Sequence, residues 1–137
     1  MQLNNTSQYA IRILSYMANT DDSRSLNAKE LSEILAIPYK FLTKIMTELV
    51  KADFVISMRG REGGYKLSKP ASSITVMNIL NQFNEFLDDD QCILGVGTCD
   101  GEHKCSLHNQ WVEPKALMRK MFEETTLEKL DGKEFKL

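Results

Sequence analysis

The stretch from Leu26 to Leu67 constrains the fold most, because its punctuation spells two short helices followed by a hairpin. Asn27 is a helix-capping residue, and Glu30 stands where its carboxylate can bond back to the cap. Leu26 before the cap and Leu31 after it match a hydrophobic staple; Leu31, Ile34 and Leu35 form the expected buried face. Ala36-Ile37-Pro38 breaks this pattern, and Pro38 suits the first position of the next helix. There Phe41, Leu42, Ile45, Met46, Leu49 and Val50 are apolar, while Lys40, Thr43, Lys44, Thr47 and Lys51 recur at three or four along the opposite side. Two short helices joined by a tight turn, the second with an exposed Lys/Thr stripe, predict a helix-turn-helix.

The next segment narrows the architecture. Phe54 to Arg59 alternates and is rich in β-formers, Gly60-Arg61-Glu62-Gly63-Gly64 is a turn, and Tyr65-Lys66-Leu67 returns as a second strand. Arg59, Arg61, Lys66 and Lys69 lie on and around the tip. A basic hairpin directly after a helix-turn-helix is a winged helix. The expected fold is therefore mainly α with a small β-hairpin wing, with residues 1–70 as the DNA-binding domain. Lys40, Thr43, Lys44 and Thr47 would face the major groove, and Arg59 and Arg61 would meet backbone or minor groove.

Charge supports that direction. The net charge of −2 hides a balance of +3 over residues 1–69 and −5 over residues 70–137, with +4 concentrated in residues 40–69. A basic patch with an acidic remainder suits a protein that presents one face to a polyanion such as double-stranded DNA. No apolar run approaches the roughly 20 residues that span a bilayer, and the N-terminus lacks a signal pattern, so a cytoplasmic location is expected.

The remaining elements frame a second region, residues 71–137. Before the helix-turn-helix, residues 6–19 read as a helix with Ala10, Ile13, Leu14 and Met17 on its buried stripe, and residues 20–25 as a polar loop. After the wing, a helix is expected from about Thr75 to Leu87, carrying Val76, Ile79, Leu80, Phe83 and Leu87 on one side. It should stop before Asp88-Asp89-Asp90, which oppose the macrodipole at a helix C-terminus. From about Ser106 a long amphipathic helix places Leu107, Trp111, Met118, Met121, Phe122 and Thr125 at helical spacing, with a kink or restart expected at Pro114. Thr125-x-x-Glu128 is a capping-box signature for a last short helix, Leu127 to Leu130, closed by Gly132. The long helix is too apolar on one face to stand alone, so Trp111, Met118, Met121 and Phe122 are expected at a homodimer interface. Packing back on its own subunit is the competing reading.

Between these helices, Gln91 to Trp111 holds all three cysteines, Cys92, Cys99 and Cys105, and both histidines, His103 and His108. Thiols of a chain kept in a reducing compartment favour metal binding or redox sensing over a disulfide framework. Three thiolates and an imidazole complete a four-ligand set for a soft metal or a small iron–sulfur cluster, and Gly95, Gly97 and Gly101 let the loop fold back. Structural zinc is the rival, since three Cys and one His also form a zinc set, and a cluster-free thiol switch is the other alternative. An enzyme is not expected: Cys105 and His108 could pair, but nothing supplies an orienting carboxylate or amide, or an oxyanion loop.

The order of parts resembles the IscR/NsrR-type winged-helix regulators over nearly the whole chain. The most specific matches are the wing RGREGGYKLSKP, the three-cysteine loop, and LHxxW with a closing TTLEKL. The resemblance implies a homodimeric bacterial transcription factor that holds an iron–sulfur cluster near the base of its dimerisation helix, the cluster altering DNA binding. It implies Cys92, Cys99 and Cys105 as cluster cysteines and Lys40, Thr43 and Arg59 as DNA-contact positions. The fourth ligand varies in the family. His108 stands where one branch places a histidine, whereas Gln8 and Arg12 occupy the positions used by other branches. A 2Fe–2S cluster is the first expectation and 4Fe–4S the second.

Overall fold

The computed structural model describes residues 2–20, 24–85, 91–99 and 101–130. Helix α1 (Asn5–Ala18) begins at Asn4, whose side chain accepts the Ser7 N–H at 2.8 Å. Ala10, Ile13, Leu14 and Met17 are buried along it, as the periodicity requires. Helix α2 (Ala28–Leu35) carries the full capping box: the Glu30 N–H donates to Asn27 Oδ1 at 2.8 Å, and the Asn27 N–H to Glu30 Oε2 at 3.2 Å. Leu26 and Leu31 are both buried beneath it. Ile34, expected on that buried face, is 54% exposed; the eight-residue helix buries only Leu31 and Leu35 fully, with Ala28 packed beside the core.

Ala36 ends α2 in the left-handed region (φ 52°), and Pro38 then precedes helix α3 (Tyr39–Lys51) as its cap rather than forming its first residue. Leu42, Ile45, Met46 and Leu49 of α3 are buried. Strands β1 (Val55–Met58) and β2 (Gly64–Leu67) pair antiparallel, with Val55 opposite Leu67 and Met58 opposite Gly64. A third segment joins this wing: Leu26 pairs with Tyr65 through N–H···O bonds of 3.1 and 2.8 Å. Patterning did not show it, because one paired residue leaves no alternation to read.

Helix α4 (Val76–Gln82) is shorter than expected. Asn84 adopts φ 57° and the Glu85 N–H turns back to the Leu80 carbonyl at 3.0 Å, so the chain reverses before Leu87 and Asp88–Asp90, which lie outside the described residues. Helix α5 (His108–Glu124) starts two residues later than expected and runs through Pro114 without a restart. The missing proline N–H removes one i→i−4 bond there. The capping box at Thr125 does not form. Its hydroxyl donates to the Met121 carbonyl at 2.7 Å instead, and Leu127–Lys129 is a single 3₁₀ turn.

The core is one cluster that includes residues of α1, α2 and α3 together with Val55, Ile74, Ile79, Leu80 and Leu127. Leu127 is fully buried, and its N–H bonds Ile74 at 2.9 Å while Val76 bonds Thr125 at 2.8 Å. Burial of one such leucine contributes about 1.5–3 kcal/mol. The end of α5 is thus fastened to the winged-helix body.

Candidate DNA-binding face and cysteine loop

On α3, Lys40, Lys44 and Thr47 are exposed and Thr43 is half-buried, opposite the buried Leu42–Ile45–Met46–Leu49 side. The Thr43 hydroxyl donates to the Lys40 carbonyl at 3.1 Å, and the Thr47 hydroxyl to the Thr43 carbonyl at 3.0 Å. Their protons are spent on the helix, so each presents oxygen lone pairs and a methyl outward. Arg59 and Arg61 are both exposed on the wing, whose tip turns at Gly60 with the Gly63 N–H on the Gly60 carbonyl at 3.0 Å.

Sequence reasoning missed the residue that braces this unit. Arg12 donates from Nη2 to the Leu35 carbonyl at 2.6 Å, satisfying a free acceptor at the C-terminus of α2. It thereby ties α1 to the turn between the two helices of the motif. A cation recurring near a helix C-terminus is a recognisable signal, but Arg12 and Leu35 are distant in sequence.

In the cysteine loop, Gln91 bridges Thr98, the Cys92 N–H bonds the Gly97 carbonyl at 3.1 Å, and the Gly95 N–H bonds the Cys92 carbonyl at 2.8 Å. The backbone N–H of Val96, then that of Leu94, hold the Cys92 thiol below its ordinary value, and the Cys105 side chain adds to the effect. Cys99 Sγ lies 3.0 Å from His108 Nδ1, at the first residue of α5. The four expected ligands are therefore brought into two pairs, Cys92 with Cys105 and Cys99 with His108. Among the described residues no three His, Cys, Asp or Glu side chains form a single ligand group. The donor set fits a thiolate-ligated group, since backbone N–H bonds favour the charged form of Cys92 that a metal requires. His103 is exposed. The Gln8 amide is engaged with the Leu3 carbonyl at 2.5 Å, and Arg12 with Leu35.

Helix α5 buries no residue fully and packs on α4. Trp111 and Met118 are half-buried, and Phe122 packs against the chain's own core. Met121 is 52% exposed, beside Leu117 at 61%, a residue the periodicity had not singled out. No helix among the described residues is long and apolar enough to cross a membrane.

A winged helix with a polar, basic recognition helix and a basic hairpin defines a helix-turn-helix, DNA-binding transcriptional regulator. The chain belongs to the Rrf2 family, whose sequence model, described as "Iron-dependent Transcriptional regulator", matches residues 3–132. It is 36% identical over 133 residues to the HTH-type transcriptional regulator NsrR of Oceanobacillus iheyensis, covering 95% of this chain and 89% of that one. Its fold matches CymR, titled the global cysteine regulator of B. subtilis, with a TM-score of 0.80 at 18% identity over 95% of both chains. It also matches T. potens IscR, with a TM-score of 0.76 at 19% identity over 100% of this chain and 92% of that one.

Proposed function

We propose that the chain is a cytoplasmic homodimer whose affinity for a two-fold-related operator is set by an iron–sulfur cluster on Cys92, Cys99, Cys105 and His108. The observation that carries this reading is the 3.0 Å contact between Cys99 and His108, which draws the first residue of α5 to the loop. The family description, "Iron-dependent Transcriptional regulator", supports iron as the metal. When bound, such a cluster supplies a redox-active centre tethered to the loop by thiolate and imidazole bonds. The chain's own part is to couple that tether to DNA. His108 begins α5, the chain leaving α5 enters the winged-helix core at Leu127, and that core carries α3 and the wing. With the cluster held through His108, the first turn of α5 would be tied to the loop, and losing that tie would alter how two winged helices are spaced. Residues 1–70 would read DNA, through Lys40, Thr43, Lys44 and Thr47 in the major groove and Arg59 and Arg61 on the wing. Residues 71–137 would sense and dimerise, with Trp111, Met118, Met121 and Phe122 on or beside the seam. Leu107 and Met121, two heptads apart, and Leu117 between them are exposed on α5 and at its start.

Anaerobically purified protein should be brown, and Cys92→Ala or Cys105→Ala should remove the visible absorption. A colourless wild type with one zinc per chain would overturn the cluster. Mössbauer spectra distinguish 2Fe–2S, the first expectation, from 4Fe–4S. A second reading, a cluster-free thiol switch, is favoured by one observation, the contact between Cys92 and Cys105. It requires a colourless, metal-free wild type whose DNA affinity follows thiol oxidation.

A further inference from the structure

The wing and the start of α2 are built as one body. Leu26 pairs with Tyr65, the Ser25 hydroxyl donates to the Glu62 carbonyl at 2.5 Å, and Gly64 lets the two backbones touch. Between them lies a cleft of about 640 Å³, into which Arg24, Arg59, Arg61 and Lys66 all converge. Glu30 and Glu62 also line it, leaving an excess of cations. Arg24 and Lys66 have a further property: both also line the adjoining groove of about 480 Å³ that runs past Lys69 and Pro70. They form the cationic ridge between two open grooves. Arg24 pairs with Glu30 at the surface, an exposed contact that an incoming anion can share or replace.

We propose that Arg24 and Lys66 grip a phosphodiester of the bound duplex, beside the DNA-contact positions already assigned to α3 and to Arg59 and Arg61 of the wing. The inference rests on the DNA-binding class of the protein and not on the cluster. A strand of regularly spaced monoanions crossing an open ridge between two grooves suits these side chains better than an enclosed small anion, because neither groove is closed. Contacts of this kind position the protein on DNA and carry no sequence information.

The experiment measures affinity of the full chain for operator and for unrelated duplex from 50 to 200 mM salt. Each phosphate contact contributes about 0.9 to the slope of log affinity against log salt. Arg24→Gln and Lys66→Gln should each lower the slope by about that amount, with the same fold-loss on both duplexes, whereas Lys120→Gln on α5 should leave it unchanged. The capping box between Asn27 and Glu30 does not use Arg24, so α2 should persist, as circular dichroism will check. Slopes equal to wild type in both variants overturn the assignment. So does saturable binding of inorganic pyrophosphate that both variants abolish while the DNA slope stays intact, which would assign the ridge to a free phosphate ligand. The cluster is read separately from the visible spectrum, so an unchanged slope in brown protein refutes the ridge and leaves the proposed function standing.

Discussion

Gly64→Ala should be far more damaging than Gly60→Ala, although both glycines sit on the same wing and both have positive φ, 149° and 110°. At Gly60 a Cβ meets nothing within 4 Å, so the cost is conformational strain alone, about 1–2 kcal/mol. At Gly64 the same Cβ would lie 2.6 Å from the Leu26 carbonyl oxygen and 2.7 Å from its carbon. These are backbone atoms, so the strands must part. The two hydrogen bonds between Leu26 and Tyr65 are then lost, at about 0.5–1.5 kcal/mol each. Adding strain and lost bonds, Gly64→Ala should cost about 2–5 kcal/mol, against a total stability on the order of 5–15 kcal/mol. With a urea m-value of about 2 kcal/mol per M, its midpoint should fall by about 1–2.5 M and that of Gly60→Ala by about 0.5–1 M. DNA affinity measured below the transition should also fall in Gly64→Ala, since the pairing holds the wing against α2. Equal urea midpoints for the two variants would refute the reasoning, because only the contact with Leu26 separates them.

Arg12→Ala leaves the Leu35 carbonyl without its charged donor and should lower stability by about 1.5–3 kcal/mol in chemical unfolding. Arg59→Ala should weaken operator binding by about 1–3 kcal/mol if the side chain reads a base, and the loss on unrelated duplex tells base from phosphate contact. Leu117→Glu with Met121→Glu tests the proposed homodimer: the double variant should sediment as a monomer while keeping its helical content, since both side chains are exposed in the single chain.

The winged-helix architecture was legible because it is written locally. A cap three residues before its Glu, a break at Ala36-Ile37-Pro38, and a glycine-rich turn between β-rich runs each act within a few neighbours. The α3 polar face was legible for the same reason, since helical spacing alone separates Lys40, Thr43 and Lys44 from Leu42, Ile45 and Met46. The ends of elements were less so. Ile34 had the right spacing for burial and is exposed, and α4 ended at a left-handed Asn84 that no periodicity announces. At Thr125 a capping box was spelled out and the hydroxyl chose the preceding helix instead.

By itself, then, the sequence determined the kinds of elements, their order, the polar face of the recognition helix and the donor types of the cysteine loop. All of these depend on residue chemistry at short separations. Only the tertiary structure decided which distant groups meet: Leu26 with Tyr65, Arg12 with Leu35, Leu127 with Ile74, and Cys99 with His108. Those partners are chosen by how the helices pack around one core, and a backbone pairing or a single charged bond leaves no periodic trace in the chain that makes it.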